Sequence, residues 1–159
     1  MEPSLLTPKF TLVPSHFFDP ASARDVLAEV VTLEEGETVR YIEVGQYDAV
    51  LVYSDISGKS DLFPEMYFIL RDLSKCTEYN KVLCTWLDGF LYIAIAQGKS
   101  LMLSNAFRAS DFTTAEYFIF LAMKSLQLNP EVTTICWRTP LGPDEEMSLY
   151  GYFKSVELM

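Results

Sequence analysis

The residues that could do chemistry in this chain are few and widely spaced. A single histidine, His16, stands beside Phe17 and Phe18, two residues after Pro14. One imidazole excludes a histidine-rich metal site, and any Ser-His or Cys-His pair would depend on it alone. Its aromatic neighbours favour a structural or surface role. Cys76, Cys84 and Cys136 form no CxxC pair; an odd count, two of them inside apolar runs, reads as reduced thiols. Among the carboxylates, Asp88 is the sharpest candidate, in Leu87-Asp88-Gly89-Phe90. An Asp-x-Gly-Thr/Ser loop between two strands can hold phosphates on backbone amides and a hydroxyl, with the carboxylate toward magnesium. Here Phe90 stands where the hydroxyl belongs, and Asp-Gly closes a type I′ hairpin turn without any ligand. Leu141-Gly142-Pro143 is the second candidate. A glycine pair there would let adenosine approach the backbone, but one glycine followed by proline stiffens the loop and removes an amide donor. Asp88, Gly89 and Gly142 are thus the candidate ligand-binding residues, with ATP and magnesium as the ligands they would imply. A plain hairpin and a turn before a helix are the expectation, with no cofactor. No catalytic residue and no metal-ligand set is assigned, and neither GxxxxGK[ST] nor GxGxxG occurs.

Composition narrows the classes further. The 159 residues carry a formal charge of −10, with half of them apolar and 14% aromatic. That is enough apolar material for one domain or two small lobes. The acidic balance repels phosphate backbones, so no nucleic-acid partner is expected. The acidic clusters at Glu34, Glu35 and Glu37 and at Asp144, Glu145 and Glu146 read as solvated loops and helix starts. The first ten residues contain two prolines and no apolar core segment, which argues against a signal peptide. No apolar stretch reaches the length of a membrane span; Phe112–Met123 is too short, and Glu116 interrupts it. The expectation is a cytoplasmic protein with no membrane insertion.

The elements that must position these residues are organised around KVLCTWLDGFLYIAIAQGKSLMLSNAFR, residues 81–108. Two tight turns, at Asp88-Gly89 and Gly98-Lys99, separate three apolar runs. The pattern predicts an antiparallel meander over 82–87, 90–97 and 101–107. By the period of two, Leu91, Ile93 and Ile95 should share one face, and Tyr92, Ala94 and Ala96 the other. Upstream, strands are predicted over 9–13, 39–44 and 49–54. Helices are predicted from Asp19-Pro20 to about residue 29 or 30, and from 61 to 76 with Pro64 in its first turn. Downstream, Thr113 and Glu116 fit a capping box for a helix over 113–128, apolar almost all round and so buried on most faces. A strand over 132–138 and a last helix over 144–156 follow. The order β-β-β-α-β-α in residues 80–159 reads as an α/β lobe, while residues 1–79 form a less regular β-α-β-β-α pattern. A soft boundary falls at Tyr79-Asn80.

KFTLVPSHFFD at 9–19, LMLSNAF at 101–107 and AEYFIFLAMKSLQLNP at 115–130 resemble an uncharacterised bacterial family, domain of unknown function 3822. The resemblance covers most of the chain. It implies an actin-like ATPase, or ribonuclease H-like, fold. Residues 80–159 would be the C-terminal lobe, and residues 1–79 an incomplete N-terminal lobe preceded by a further segment. The family offers no established activity. The implied function is that of a non-catalytic cytosolic interaction or scaffold protein with a degenerate actin-like fold, acting on an unidentified protein partner. Homodimerisation through a sheet edge or the aromatic helix is a third possibility. The rival is a nucleotide-binding ATPase or kinase-like protein whose phosphate loop lies outside this chain.

Overall fold

The computed structural model describes residues 2–56, 58 and 61–159. Its N-terminal part is a three-stranded antiparallel sheet of β1 (Phe10–Pro14), β2 (Thr38–Val44) and β3 (Ala49–Asp55), in the order β1-β3-β2. β3 is buried along its whole length because it is central and covered on both faces. Its alternate residues Val50 and Val52 meet Ala23 and Leu27 of α1 (Ala23–Ala28) on one face. Leu51 and Tyr53 turn to the other, as a period of two requires. Pro14 ends β1 on a strand whose only described partner is β3, where a missing amide harms no ladder. α1 is shorter than the pattern predicts. Asp19 caps a single 3-10 turn, Pro20–Ser22, by accepting from the Ala21 amide at 3.0 Å, and the α-helix starts only after it.

The second sheet holds β4 (Asn80–Leu87), β5 (Phe90–Gln97), β6 (Ser100–Arg108), β7 (Thr134–Trp137) and β8 (Ser155–Leu158), in the order β6-β5-β4-β7-β8. β4, β5 and β6 form the antiparallel meander, and β7 and β8 return parallel to β4. Asp88 at φ 53° and Gly89 at φ 78° both occupy the left-handed region, as a type I′ turn demands. Leu91, Ile93 and Ile95 pack with Ala115, Ile119 and Met123 of α3 (Phe112–Ser125) and Leu149 of α4 (Pro143–Tyr150). Tyr92, Ala94 and Ala96 face the opposite way, onto Met66, Ile69, Leu70 and Leu73 of α2 (Glu65–Leu73). The alanines lie where a helix approaches, as their size predicts.

α2 lies between the two sheets and shares one core with both, so apolar contact runs without a break across Tyr79-Asn80. Four further details differ from the sequence expectation. The last helix ends at Tyr150, and Ser155–Leu158 is a strand. Phe153, buried against the α3 face, and the Lys154 amide, bonded to Thr133 O at 3.1 Å, lead the chain back beside β7. α3 is capped by Asp111, whose carboxylate accepts from the Thr114 amide at 2.7 Å. Glu116 is therefore not part of a capping box and instead accepts from Ser148 of α4 at 2.9 Å. Finally, α3 is not buried all round, for Tyr117 is 60% and Leu121 47% exposed. The expected helix over 61–76 is confined to Glu65–Leu73, with Pro64 at its N-cap.

Candidate functional site

The five-stranded sheet has a natural place for a ligand. From β4 the chain moves to one side through β5 and β6, and later returns on the other side as β7. Open sheets of parallel strands bind ligands in the crevice outside the carboxyl ends at such a reversal. Here the carboxyl ends of β4 and β7 carry both sequence candidates, the turn at Asp88 and Gly89 and the loop at Gly142. The two segments are laced together: the Arg138 amide donates to Cys84 O at 2.9 Å, and the Trp86 amide to Thr139 Oγ1 at 3.2 Å.

The turn at Asp88 and Gly89 is a closed two-residue hairpin. Gly89 O accepts from the Ala109 amide at 2.8 Å, and the Trp86 indole donates to Ala109 O at 2.9 Å. A side chain on Gly89 would meet nothing within 4 Å, so the glycine serves its φ and not a close approach. Gly142 is the N-cap of α4 at φ −72°, in backbone space open to any residue. A methyl group there would stand 2.7 Å from Glu145 Oε2. With Asp144, Glu145 and Glu146 in its first turn, this helix start is supplied with its own negative charge.

On the α2 face, the same edge holds a buried ionic cluster that sequence reading did not find. Arg138 follows β7 and is 7% exposed. Its guanidinium donates from Nε to Glu65 Oε2 at 2.8 Å and from Nη1 to Asp72 Oδ2 at 2.6 Å. Glu65 also accepts from Thr85 of β4 at 2.5 Å and from Ser4 at 2.7 Å. Arg71 binds Asp72 at 2.9 Å and pairs with Glu2. Phe68 lies beneath both guanidinium groups, at 4.9 Å from Arg71 and 5.3 Å from Arg138. Burial pushes Asp72 upward, but Arg71 and Arg138 more than offset it and hold the carboxyl below its ordinary value. Glu65 and Asp72 are seven residues apart, two helical turns, and so share one stripe of α2. Chemically this is a satisfied clamp: every charge is partnered, and no nucleophile stands beside a free base.

The opposite face of the edge differs. Trp137, Thr139, Pro140, Leu141, Val156 and Leu158 line a crevice of about 130 Å³ next to the Gly142 loop. Trp137 is fully buried, yet among the described residues its indole N–H has no hydrogen-bond partner. A buried indole usually finds one. Among the described residues, no three His, Cys, Asp or Glu side chains converge where they could hold a metal ion, and no helix is long and apolar enough to cross a membrane. His16 sits in a 3-10 turn with its ring 4.1 Å from that of Phe17.

A family described as proteins of unknown function, DUF3822, matches residues 5–156. The chain belongs to this family. No curated protein matches it. The DUF3822 chain is also similar to a crystal structure from Bacteroides thetaiotaomicron VPI-5482, a protein described as having an actin-like ATPase fold and unknown function. The TM-score is 0.79 at 16% identity, a likeness that shows the fold alone. It covers 97% of this chain and 66% of that one, so the DUF3822 chain spans about two thirds of its neighbour's length. The fold is mixed α/β, with two sheets and four α-helices among the described residues.

Proposed function

We propose that this chain is a non-catalytic interaction or scaffold unit built on a degenerate actin-like fold. The observation that carries the reading is the closed turn at Asp88 and Gly89. A phosphate-holding loop needs several free amides aimed at one point and a hydroxyl beside them. This turn has two residues, engages Gly89 O internally, and is followed by Phe90. In this reading residues 80–159 are a ribonuclease H-like lobe, and residues 1–79 are the remainder of a first lobe. Among the described residues β1 pairs only with β3, and the neighbour is longer than this chain; both support that division. The unit works in the cytoplasm on a protein partner and not on nucleic acid, in keeping with its charge of −10.

One observation favours a second reading, a nucleotide-binding protein whose phosphate loop lies outside this chain. The unpartnered Trp137 indole borders the crevice beside Gly142, where a base could be received. Titrating the full-length form with ATP and magnesium, followed by thermal shift and phosphate release, separates the two. The scaffold reading expects no shift and no release. A magnesium-dependent shift with ATP, or phosphate release, would establish the second reading and overturn the first.

A further inference from the structure

Three sulfur atoms from distant parts of the chain meet just past the C-terminal end of α2. Cys76 Sγ lies 4.0 Å from Cys136 Sγ and 3.5 Å from Met159 Sδ. Each sulfur hangs from a fixed backbone. The Cys76 amide donates to Leu73 O at 3.1 Å just past the end of α2. Cys136 lies within β7, between β4 and β8. The Met159 amide donates to Trp137 O at 2.8 Å. Cys76, Cys136 and Met159 line a cavity of about 140 Å³ with Glu157 and Lys75 on its rim. Cys136 is buried, Cys76 half-buried and Met159 45% exposed, so the cluster has an inner wall and an entrance.

We propose that Cys76, Cys136 and Met159 form a binding site for a soft monovalent ion, copper(I). This goes beyond the scaffold reading and does not depend on it. Metal–sulfur bonds of about 2.3 Å in a trigonal arrangement place neighbouring sulfurs about 4 Å apart. The two separations given above are 4.0 and 3.5 Å, and an unbranched methionine adjusts by the remaining few tenths of an ångström. Thiolate and thioether donors select copper(I), whereas structural zinc takes four nitrogen or anionic sulfur donors. The donor set here is two thiols and one thioether. On binding, each thiol releases its proton to solvent as a copper–sulfur bond forms, with no change in oxidation state. Cys84, wholly buried on the other face of the sheet, takes no part.

The test is an anaerobic titration of the reduced full chain with copper(I) against a coloured chelator, bicinchoninate, with X-ray absorption on the product. One copper per chain, held against the chelator and surrounded by three sulfurs, is the expected result. Cys76→Ser should abolish binding, and Met159→Leu, which keeps the shape of the side chain, should weaken it by roughly tenfold or more. Both positions are partly exposed, so both variants should fold. Two outcomes would each overturn the site: no copper retained by the wild type, or unchanged affinity in both variants.

Discussion

The two faces of the five-stranded sheet are packed by different rules. The face toward α3 and α4 is filled by bulk: Leu91, Ile93, Ile95 and Val82 below, with Ile119, Met123 and Leu149 above. Aromatic contacts extend it, with Phe107 stacked on Phe118 at 4.6 Å and Trp86 edge-on to Phe112 at 5.3 Å. The face toward α2 is filled by smallness and charge. Ala94 and Ala96 leave room for a helix that must also reach the other sheet. Arg138, Glu65 and Asp72 then tie that helix to the end of β7. Apolar packing tolerates sliding and exchange of shape, whereas a bidentate ionic contact tolerates neither. One face supplies stability by volume, and the other sets where α2 sits.

That contrast can be broken most forcefully at Arg138. Replacing it with leucine leaves the buried Glu65 carboxylate without its cation and takes from Asp72 one of its two arginines, and should lower stability by about 3–5 kcal/mol, the usual effect of removing one partner of a buried pair. Urea unfolding measures it, and a loss below about 1 kcal/mol would show the cluster to be ornamental to the fold. On the apolar face, Ile119→Ala should cost about 2–5 kcal/mol because the side chain is fully buried. Leu121→Ala, two residues on, should change stability by only about 0.5 kcal/mol since that side chain is half exposed. Equal losses at the two positions would mean that α3 buries both sides, for instance in a dimer.

Charge at the rim of the three-stranded sheet gives a pH test of smaller size. Glu37 receives Lys9 Nζ at 2.7 Å, Ser54 Oγ at 2.6 Å and the Glu34 amide at 3.0 Å. These bonds, Lys9 first, hold its carboxyl at about 2 against an ordinary 4.5. A depressed folded value means stabilisation that is complete above the ordinary value and lost as pH falls toward the folded one. Unfolding midpoints of the wild type should therefore decline as pH drops from about 4.5 toward 2. Glu37→Gln should remove part of that slope, and an identical slope in both proteins would assign the decline to other carboxylates, Asp72 among them. The smallest effect is expected at the hairpin. Asp88→Asn should leave stability within about 0.5 kcal/mol, because Asn-Gly closes the same type I′ turn. A clear loss by thermal melting would give Asp88 a role beyond the turn.

What could be read from the sequence was whatever is encoded over short spans. The meander, its turn and the division of β5 into a bulky and a small face follow from period-two alternation and the Asp-Gly pair. The parallel strand β8 left no such signal. It has four residues, Ser155–Leu158, half of them exposed, and it exists because β7 lies beside it. The cap of α3 was misplaced by two residues because Thr113 with Glu116 imitates a capping box, while Asp111 is the side chain that reaches the free amides. The ionic cluster was illegible in principle. Glu65 and Arg138 are 73 residues apart, and nothing local marks which arginine will meet which glutamate. Asp88, Gly89 and Gly142 were found by local chemistry, and the fold brings them to one edge of the sheet, as turn residues and a helix start.

The position of α2 has a consequence for how the molecule comes apart. Met66, Ile69, Leu70 and Leu73 belong at once to the three-stranded sheet and to the underside of the five-stranded one. Neither sheet can melt without stripping the helix that roofs the other. Unfolding should thus be a single cooperative event, with amides of β3 and β5 exchanging with solvent only through global opening. Residues 80–159 expressed alone would bare Leu83, Tyr92, Ala94 and Ala96 to water, a continuous apolar floor of the kind that drives aggregation.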